Sequence, residues 1–192
     1  MNANLLTDRI DRHIDAVRQL ADSAPAVQAI CELLIETFKA GRRLFLAGNG
    51  GSDSDAQHVA AELLVRLFHN RPALPAIYLS AGGSVGSAIG NDLSFEEVFS
   101  RHLEGLMQKG DVFWAFSTSG KSRNILKAAM VAKARGGKVI LFTGPSEGPV
   151  SQLADITLYA RGDTTDLIQE VHEVAYHFIC QHVEVAMLPR SG

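Results

Sequence analysis

Short apolar runs alternate with stretches of helical periodicity along most of the chain. Five of these runs are apolar throughout, which predicts strands buried on both faces of a sheet. They lie at 43–47, 75–79, 112–117, 138–143 and 155–159. Between them, apolar residues recur at helical spacing among polar ones. The predicted helices are 53–68, 84–90, 95–107, 122–135 and 166–187.

The alternation of strands and helices predicts an α/β fold. We expect a doubly wound, five-stranded parallel sheet with helices on both faces. Residues 4–21 and 26–39 add two N-terminal helices outside this alternation. Their apolar stripes pack either on their own domain or against a partner subunit, and the pattern leaves both open. With 192 residues and no repeat or long linker, a single domain over 1–192 is expected.

Composition narrows the class of partner. Hydrophobic residues make up 46% of the chain, enough for a sizeable core, and the net charge of −3 disfavours a nucleic-acid surface. No apolar run approaches about 18 residues and no signal peptide is evident, so no membrane or export role follows. Cys31 and Cys180 are far apart in sequence, which suggests reduced thiols in the cytoplasm. The expected partner is a small molecule or another protein.

A glycine-rich turn follows the first predicted strand, within residues 44–52. Its glycines would let backbone N–H groups approach an anion, as at other strand-to-helix turns. The turn lacks the Lys-Ser/Thr of a P-loop, and Asp53 takes the place of the third glycine of a dinucleotide fingerprint. Glycines that serve the turn geometry alone remain an equal alternative. The glycines concerned are Gly48, Gly50 and Gly51.

A second polar loop follows the third predicted strand and opens a helix. Its hydroxyl groups exceed what one helix cap needs, which favours a phosphate monoester over simple capping. These hydroxyls belong to Ser117, Thr118, Ser119 and Ser122.

The segment Gly90-Asn91-Asp92 interrupts a helical pattern. On residue type alone, Asn91 and Asp92 are turn formers rather than ligands for sugar hydroxyls.

Candidate metal ligands lie on two predicted helices. His58 and Glu62 are four residues apart and share a helix face, and the last helix carries Gln169 and His177. Two imidazoles, a carboxylate and an amide oxygen suit Zn²⁺, although buried histidines are more often core or interface groups. Gln169 and His177 are about 12 Å apart along a straight helix. One ion joins both only if the side chains converge or come from different subunits.

These motifs, taken in order, resemble one family. The chain is similar to phosphoheptose isomerases of the sugar-isomerase (SIS) domain superfamily over nearly its whole length. Such enzymes are αβα sandwiches. The segments that carry the resemblance are AlaGlyAsnGlyGlySer, AspAlaGlnHisValAlaAlaGlu, AsnArgProAlaLeuProAla, AlaIleGlyAsnAsp, SerThrSerGlyLysSer and IleGlnGluValHis.

The resemblance implies a role for each candidate residue. Glu62 and His177 would be catalytic, and one Zn²⁺ per subunit would be bound by His58, Glu62, Gln169 and His177. Substrate would contact Asn49, Gly50, Gly51, Glu62, Asn91, Asp92, Ser117, Thr118, Ser119, Ser122 and Gln169. Family members are homotetramers with active sites at subunit interfaces, so residues 1–40 would lie in oligomer contacts.

The implied reaction converts the ketose sedoheptulose 7-phosphate into the aldose D-glycero-D-manno-heptose 7-phosphate through a cis-enediol. It is the first step of nucleotide-activated heptose biosynthesis. Glu62 would be the base at C1 and His177 its acid/base partner.

Two other functions stay open. One is a replication-initiator-binding relative, which lacks an acidic residue and a histidine at the positions of Glu62 and His177. The other is an isomerase of a different heptulose or octulose phosphate, since Asp53 and Leu167 depart from the family pattern. A sugar-phosphate-sensing regulator is disfavoured, because such proteins usually carry a DNA-binding domain as well.

Overall fold

A computed structural model describes residues 3–189, and its centre is a five-stranded parallel sheet. The spatial order is β2-β1-β3-β4-β5. In register, Leu44 of the first strand pairs with Ala76 on one side and Val112 on the other. The strands are β1 Leu44–Ala47, β2 Ala76–Tyr78, β3 Val112–Ser117, β4 Lys138–Thr143 and β5 Ile156–Tyr159.

Seven α-helices are described around this sheet within residues 3–189, and the predicted α/β class is confirmed. They are α1 Ala3–Arg18, α2 Ala24–Lys39, α3 Gly51–Leu64, α4 Gly83–Asp92, α5 Ser100–Leu106, α6 Arg123–Ala134 and α7 Thr165–Ala186. Short 3-10 helices occupy Gln19–Ser23 and Phe95–Glu97. Within the described chain, no helix is both long and apolar enough to cross a bilayer.

The strands divide the core into two layers because successive side chains point to opposite faces. On β3, Trp114 and Phe116 join the layer beneath α2, α3 and α7. Phe113 and Ala115 join the layer beneath α5 and α6. Both faces of the sheet are therefore covered, which explains why the strand sequences are apolar throughout.

Three predicted helix boundaries were wrong. Residues 90–92 do not break a helix: they form the last turn of α4, since the helix continues through a glycine. The helix predicted over 53–68 ends at Leu64, and the following segment to Pro75 is irregular. The helix predicted over 95–107 is a 3-10 turn followed by α5, with Val98 and Phe99 between them.

The strand order creates a switch point between β1 and β3. The chain leaves β1 toward β2 on one side and later returns to add β3 on the other. Loops that follow β1 and β3 diverge there, leaving a crevice at the carboxyl ends of the strands. The glycine-rich turn and the serine-rich loop are those two loops.

Candidate active site

The glycine-rich turn closes on itself and begins α3. The N–H groups of Ser52 and Asp53 donate to the carbonyls of Asn49 and Gly50. Gly50 has φ +60°, a conformation that favours glycine. A Cβ at Gly48 would collide with the backbone of Ser52. Gly48 and Gly50 are thus required by the geometry of the turn, whether or not a ligand is bound.

The serine-rich loop leaves hydroxyl groups outside the helix cap. Ser122 occupies the N-cap position of α6 but makes no side-chain capping bond. Its Oγ instead lies 3.3 Å from Ser117 Oγ, and Ser119 Oγ accepts a bond from the Lys121 N–H at 3.2 Å. The Ser122 hydroxyl therefore does not cap α6, and binding of a phosphate by this loop stays a prediction.

A reciprocal pair of amides joins the two loops. Asn49 Nδ2 donates to Asn124 Oδ1 at 2.9 Å, and Asn124 Nδ2 donates to Asn49 Oδ1 at 2.8 Å. The pair forms part of the wall of a cleft of about 510 Å³ at the switch point. The cleft is lined by Gly48, Asn49, Gly50, Asp53, Ala81, Phe95, Glu96, Ser122, Arg123 and Asn124.

A second cluster lies where α3 packs against α7. Glu62 Oε1 is 3.3 Å from His58 Nε2 and 3.2 Å from His177 Nε2. The Glu62 side chain is only 7% exposed, whereas those of His58 and His177 are 44% and 37% exposed. One ligand atom from each residue lies within 4.8 Å of the other two. We call these three residues the triad.

The triad residues fit a divalent cation. Two imidazole nitrogens converge on one carboxylate oxygen, which is a nitrogen and oxygen donor set suited to Zn²⁺. The other oxygen, Glu62 Oε2, is buried and has no hydrogen-bond partner among residues 3–189. A buried carboxylate oxygen without a partner is costly unless a cation or proton compensates it.

Three further polar groups lie near the triad: the Tyr176 hydroxyl, the Asp55 carboxyl and the Cys180 thiol. Tyr176 Oη lies 3.1 Å from His58 Nδ1. Burial, with a smaller contribution from Glu173, raises the pKa of Asp55 to about 7. Burial and the charge of Glu62 likewise raise the pKa of the Cys180 thiol. Burial thus favours the protonated, neutral forms of the Asp55 carboxyl and the Cys180 thiol.

Gln169, the predicted fourth ligand, lies at the other end of α3. Its Nε2 is 3.5 Å from Ser52 Oγ, and a Cβ at Gly51 would lie 2.7 Å from its Oε1. Since α3 and α7 run in the same direction, Gln169 lies beside the first turn of α3 and His177 beside a later one. The structure thus brings three predicted ligands together, and the participation of Gln169 stays a prediction.

The cleft and the triad are distinct places in one chain. None of the triad residues lines the cleft. Asn91 and Asp92 are exposed at the end of α4, where Asn91 Nδ2 donates to Asp92 Oδ1, and neither lines the cleft. Their predicted contact with sugar stays a prediction.

Sequence reasoning missed three residues that the structure places around these groups. Asn124 follows the serine-rich loop by two residues, and its pairing with Asn49 has no sequence signal. Tyr176 precedes His177, and an aromatic residue on a core helix is normally read as packing. Arg71, in the irregular segment after α3, donates from Nη2 to the Glu62 carbonyl at 2.8 Å.

Comparisons with known proteins identify the family of this chain. The sequence model of the SIS domain matches residues 8–144. Curated phosphoheptose isomerases are similar along almost the whole chain. That of a Synechocystis strain is 40% identical over 97% of both chains, and that of Helicobacter hepaticus is 42% identical over 94% of this chain and 92% of its own. The chain belongs to the phosphoheptose isomerase family of SIS-domain proteins.

Solved structures of phosphoheptose isomerases share the fold. The enzyme of Francisella tularensis superposes with a TM-score of 0.91 at 30% identity, covering 96% of this chain and all of that one. The enzyme of Neisseria gonorrhoeae gives 0.89 at 30% identity, covering 95% and 98%. The extra N-terminal helices are included in this coverage.

Asp53 and Leu167, which the sequence analysis singled out, have different structural settings. Asp53 lines the cleft, and its Oδ2 accepts a hydrogen bond from Tyr78 Oη at 2.7 Å. Leu167 is buried in the core layer beneath α2, α3 and α7. Asp53 is therefore placed to affect what binds in the cleft, whereas Leu167 contributes to packing.

Proposed function

We propose that this chain is an aldose–ketose isomerase that converts sedoheptulose 7-phosphate into D-glycero-D-manno-heptose 7-phosphate. The observation that carries the proposal is Glu62, a buried carboxylate held 3.2–3.3 Å from two imidazole nitrogens. The full-length similarity to phosphoheptose isomerases supports it. The product would enter nucleotide-activated heptose biosynthesis.

Glu62 and His177 are the acid/base pair of this proposal. The Glu62 carboxylate removes the proton from C1 of the open-chain ketose, and the C2 carbonyl oxygen gains a proton to give a cis-enediol. Return of a proton to C2 and loss of the C1 hydroxyl proton give the aldehyde. His177 lies beside Glu62 and is the acid/base for the protons on the C1 and C2 oxygens. Each transfer requires a group within hydrogen-bond reach of the reacting atom.

Zn²⁺ is the proposed cofactor, bound by His58, Glu62 and His177, with Gln169 as the fourth ligand. A cation there would polarise the sugar carbonyl. The phosphate is assigned to Ser117, Thr118, Ser119 and Ser122 at the start of α6. Sugar contacts are assigned to Asn49, Gly50, Gly51, Asn91, Asp92 and Gln169.

We assign the working form as a homotetramer with active sites at subunit interfaces. The cleft and the triad do not meet within one chain, so a complete site needs a second copy. An apolar groove of about 760 Å³ lies between α1–α2 and α7, at the N-terminal helices expected in oligomer contacts. Both cysteines are buried free thiols, in keeping with a cytoplasmic single-domain enzyme.

The non-catalytic alternative is not favoured. The chain keeps Glu62 and His177, and the structure brings them into contact. The second candidate is an isomerase of a different heptulose or octulose phosphate, and the position of Asp53 in the wall of the cleft favours considering it.

One assay tests the proposal. Purified protein is incubated with sedoheptulose 7-phosphate, with Zn²⁺ or a chelator, and aldose phosphate formation is followed by NMR. We expect turnover that Glu62→Gln lowers by about 10²–10⁴-fold, because general acid–base catalysis contributes that much. Glu147→Gln, on an exposed loop, is the matched control and should keep full activity. Wild-type turnover in Glu62→Gln would contradict the assignment of the base.

A further inference from the structure

Tyr176 contacts two of the triad residues although it is not one of them. Its Oη lies 3.1 Å from His58 Nδ1, and its ring meets the rings of His58 and His177 at centroid distances of 5.5 and 4.8 Å. The ring also packs edge-on against Phe116 in the core, and the residue is 1% exposed. Tyr176 is therefore held rigidly with its hydroxyl directed at one nitrogen of His58.

The two nitrogens of His58 have different neighbours. Nδ1 faces the Tyr176 hydroxyl, and Nε2 faces Glu62 Oε1. In a neutral imidazole one nitrogen carries the proton and the other has the free lone pair. Nε2 can bind a cation only when the proton is on Nδ1, and that proton then needs an acceptor. Tyr176 Oη is in place to accept it.

We infer that Tyr176 is a positioning residue, whose hydroxyl holds the His58 ring and supports the tautomer with the Nε2 lone pair directed toward Glu62. The inference rests on the proposed cation site of the triad. Outer partners of metal-binding histidines act in this way, and their loss commonly weakens metal binding 10–100-fold.

The Tyr176 hydroxyl can also form a hydrogen bond with His58 in the metal-free protein. A hydroxyl both donates and accepts, so Tyr176 can donate to Nδ1 whenever the His58 proton is on Nε2. Phenylalanine would keep the ring packing and provide neither hydrogen bond.

The test compares Zn²⁺ affinity by calorimetry on metal-stripped protein. Tyr176→Phe should weaken binding at least about 10-fold, with little change in the melting temperature. The matched control is Tyr159→Phe on β5, which removes a hydroxyl outside the triad and should bind Zn²⁺ like the wild type. His58→Gln is measured in parallel and should lose most of the affinity.

The outcomes separate two failures. If His58→Gln loses affinity and Tyr176→Phe binds as the wild type does, the role of Tyr176 is overturned and the triad stands. If His58→Gln also binds as the wild type does, the proposed cation site fails and the inference fails with it.

A second measurement does not depend on the variant folding. Long-range ¹H–¹⁵N NMR of Zn²⁺-loaded wild-type protein should place the His58 proton on Nδ1, protected from exchange with water. A proton found on Nε2 would overturn the inference.

Discussion

His172 shows how burial decides the role of a single residue. On α7, His177 contacts Glu62, whereas His172 lies in the core. His172 is fully buried, and its Nε2 lies 3.1 Å from the Thr143 carbonyl oxygen. Burial lowers its pKa to about 4 from an ordinary value near 6.5, against a smaller raising effect of the Thr143 hydrogen bond. His172 is therefore a neutral core residue in the folded chain.

His172 makes stability depend on pH. Between about pH 6.5 and 4 the unfolded chain binds a proton at this residue and the folded chain does not, so the free energy of unfolding falls as pH falls. The slope from this group approaches about 1.4 kcal/mol per pH unit. Urea unfolding at several pH values should show His172→Gln losing this slope relative to the wild type. The exposed His69→Gln control should keep it, and an unchanged slope in His172→Gln would contradict the assignment.

At the scale of elements, one buried carboxylate anchors the irregular segment after α3. Glu184, on the last turns of α7, accepts the backbone N–H groups of Leu67, Phe68 and His69 at 2.8–3.0 Å. Its Oε1 lies 3.7 Å from Arg71 Nε, and both side chains are fully buried. Burial alone would raise the pKa of Glu184, but the three backbone bonds and Arg71 together hold it below its usual value.

Removing this carboxylate should release the segment after α3 and lower the free energy of unfolding. Glu184→Gln leaves the Arg71 charge buried without its partner, and breaking a buried pair in this way costs about 3–5 kcal/mol. We expect chemical denaturation to show a loss of that order in the free energy of unfolding. The exposed Glu147→Gln control should change it by less than about 0.5 kcal/mol. A loss equally small in Glu184→Gln would mean that the pair does not hold the segment.

At the scale of the whole molecule, apolar residues remain uncovered on α1 and α7. Phe178 is 57% exposed, and Leu5, Leu6, Ile10 and Val185 are exposed as well. Phe178 also lines the apolar groove between α1–α2 and α7. Large exposed apolar patches are typical of surfaces that contact another protein. The partner proposed above is a second copy of this chain.

Phe178 gives a test of the proposed assembly. Light scattering on wild-type protein should report a tetramer of 20.7 kDa chains. Phe178→Glu places a charge in the contact and should lower both the mass and the turnover, because an incomplete assembly leaves sites incomplete. Met130→Glu, at an exposed apolar position on α6, should keep both. A Phe178→Glu protein that stays tetrameric would place the contacts elsewhere.

The sequence predicted the strands better than the helix ends. The five strand runs match the structure to within a residue or so, because strands covered on both faces must be apolar throughout. Helix ends were less predictable. The segment after Leu64 is shaped by Glu184, which lies more than a hundred residues away, and no local pattern reports that contact. Gly90–Asp92 remained helical although their composition is typical of a turn.

The sequence by itself determined the α/β fold and the residue types of the candidate site, since both follow from local patterns and strand ends. Only the tertiary structure decided which residues meet. It brought His177 and Glu62 together and placed Gln169 beside Gly51. It also separated the triad from the cleft and directed Tyr176 at His58. The reason is physical: side chains on different elements meet according to how those elements pack, and packing depends on contacts spread over the whole chain.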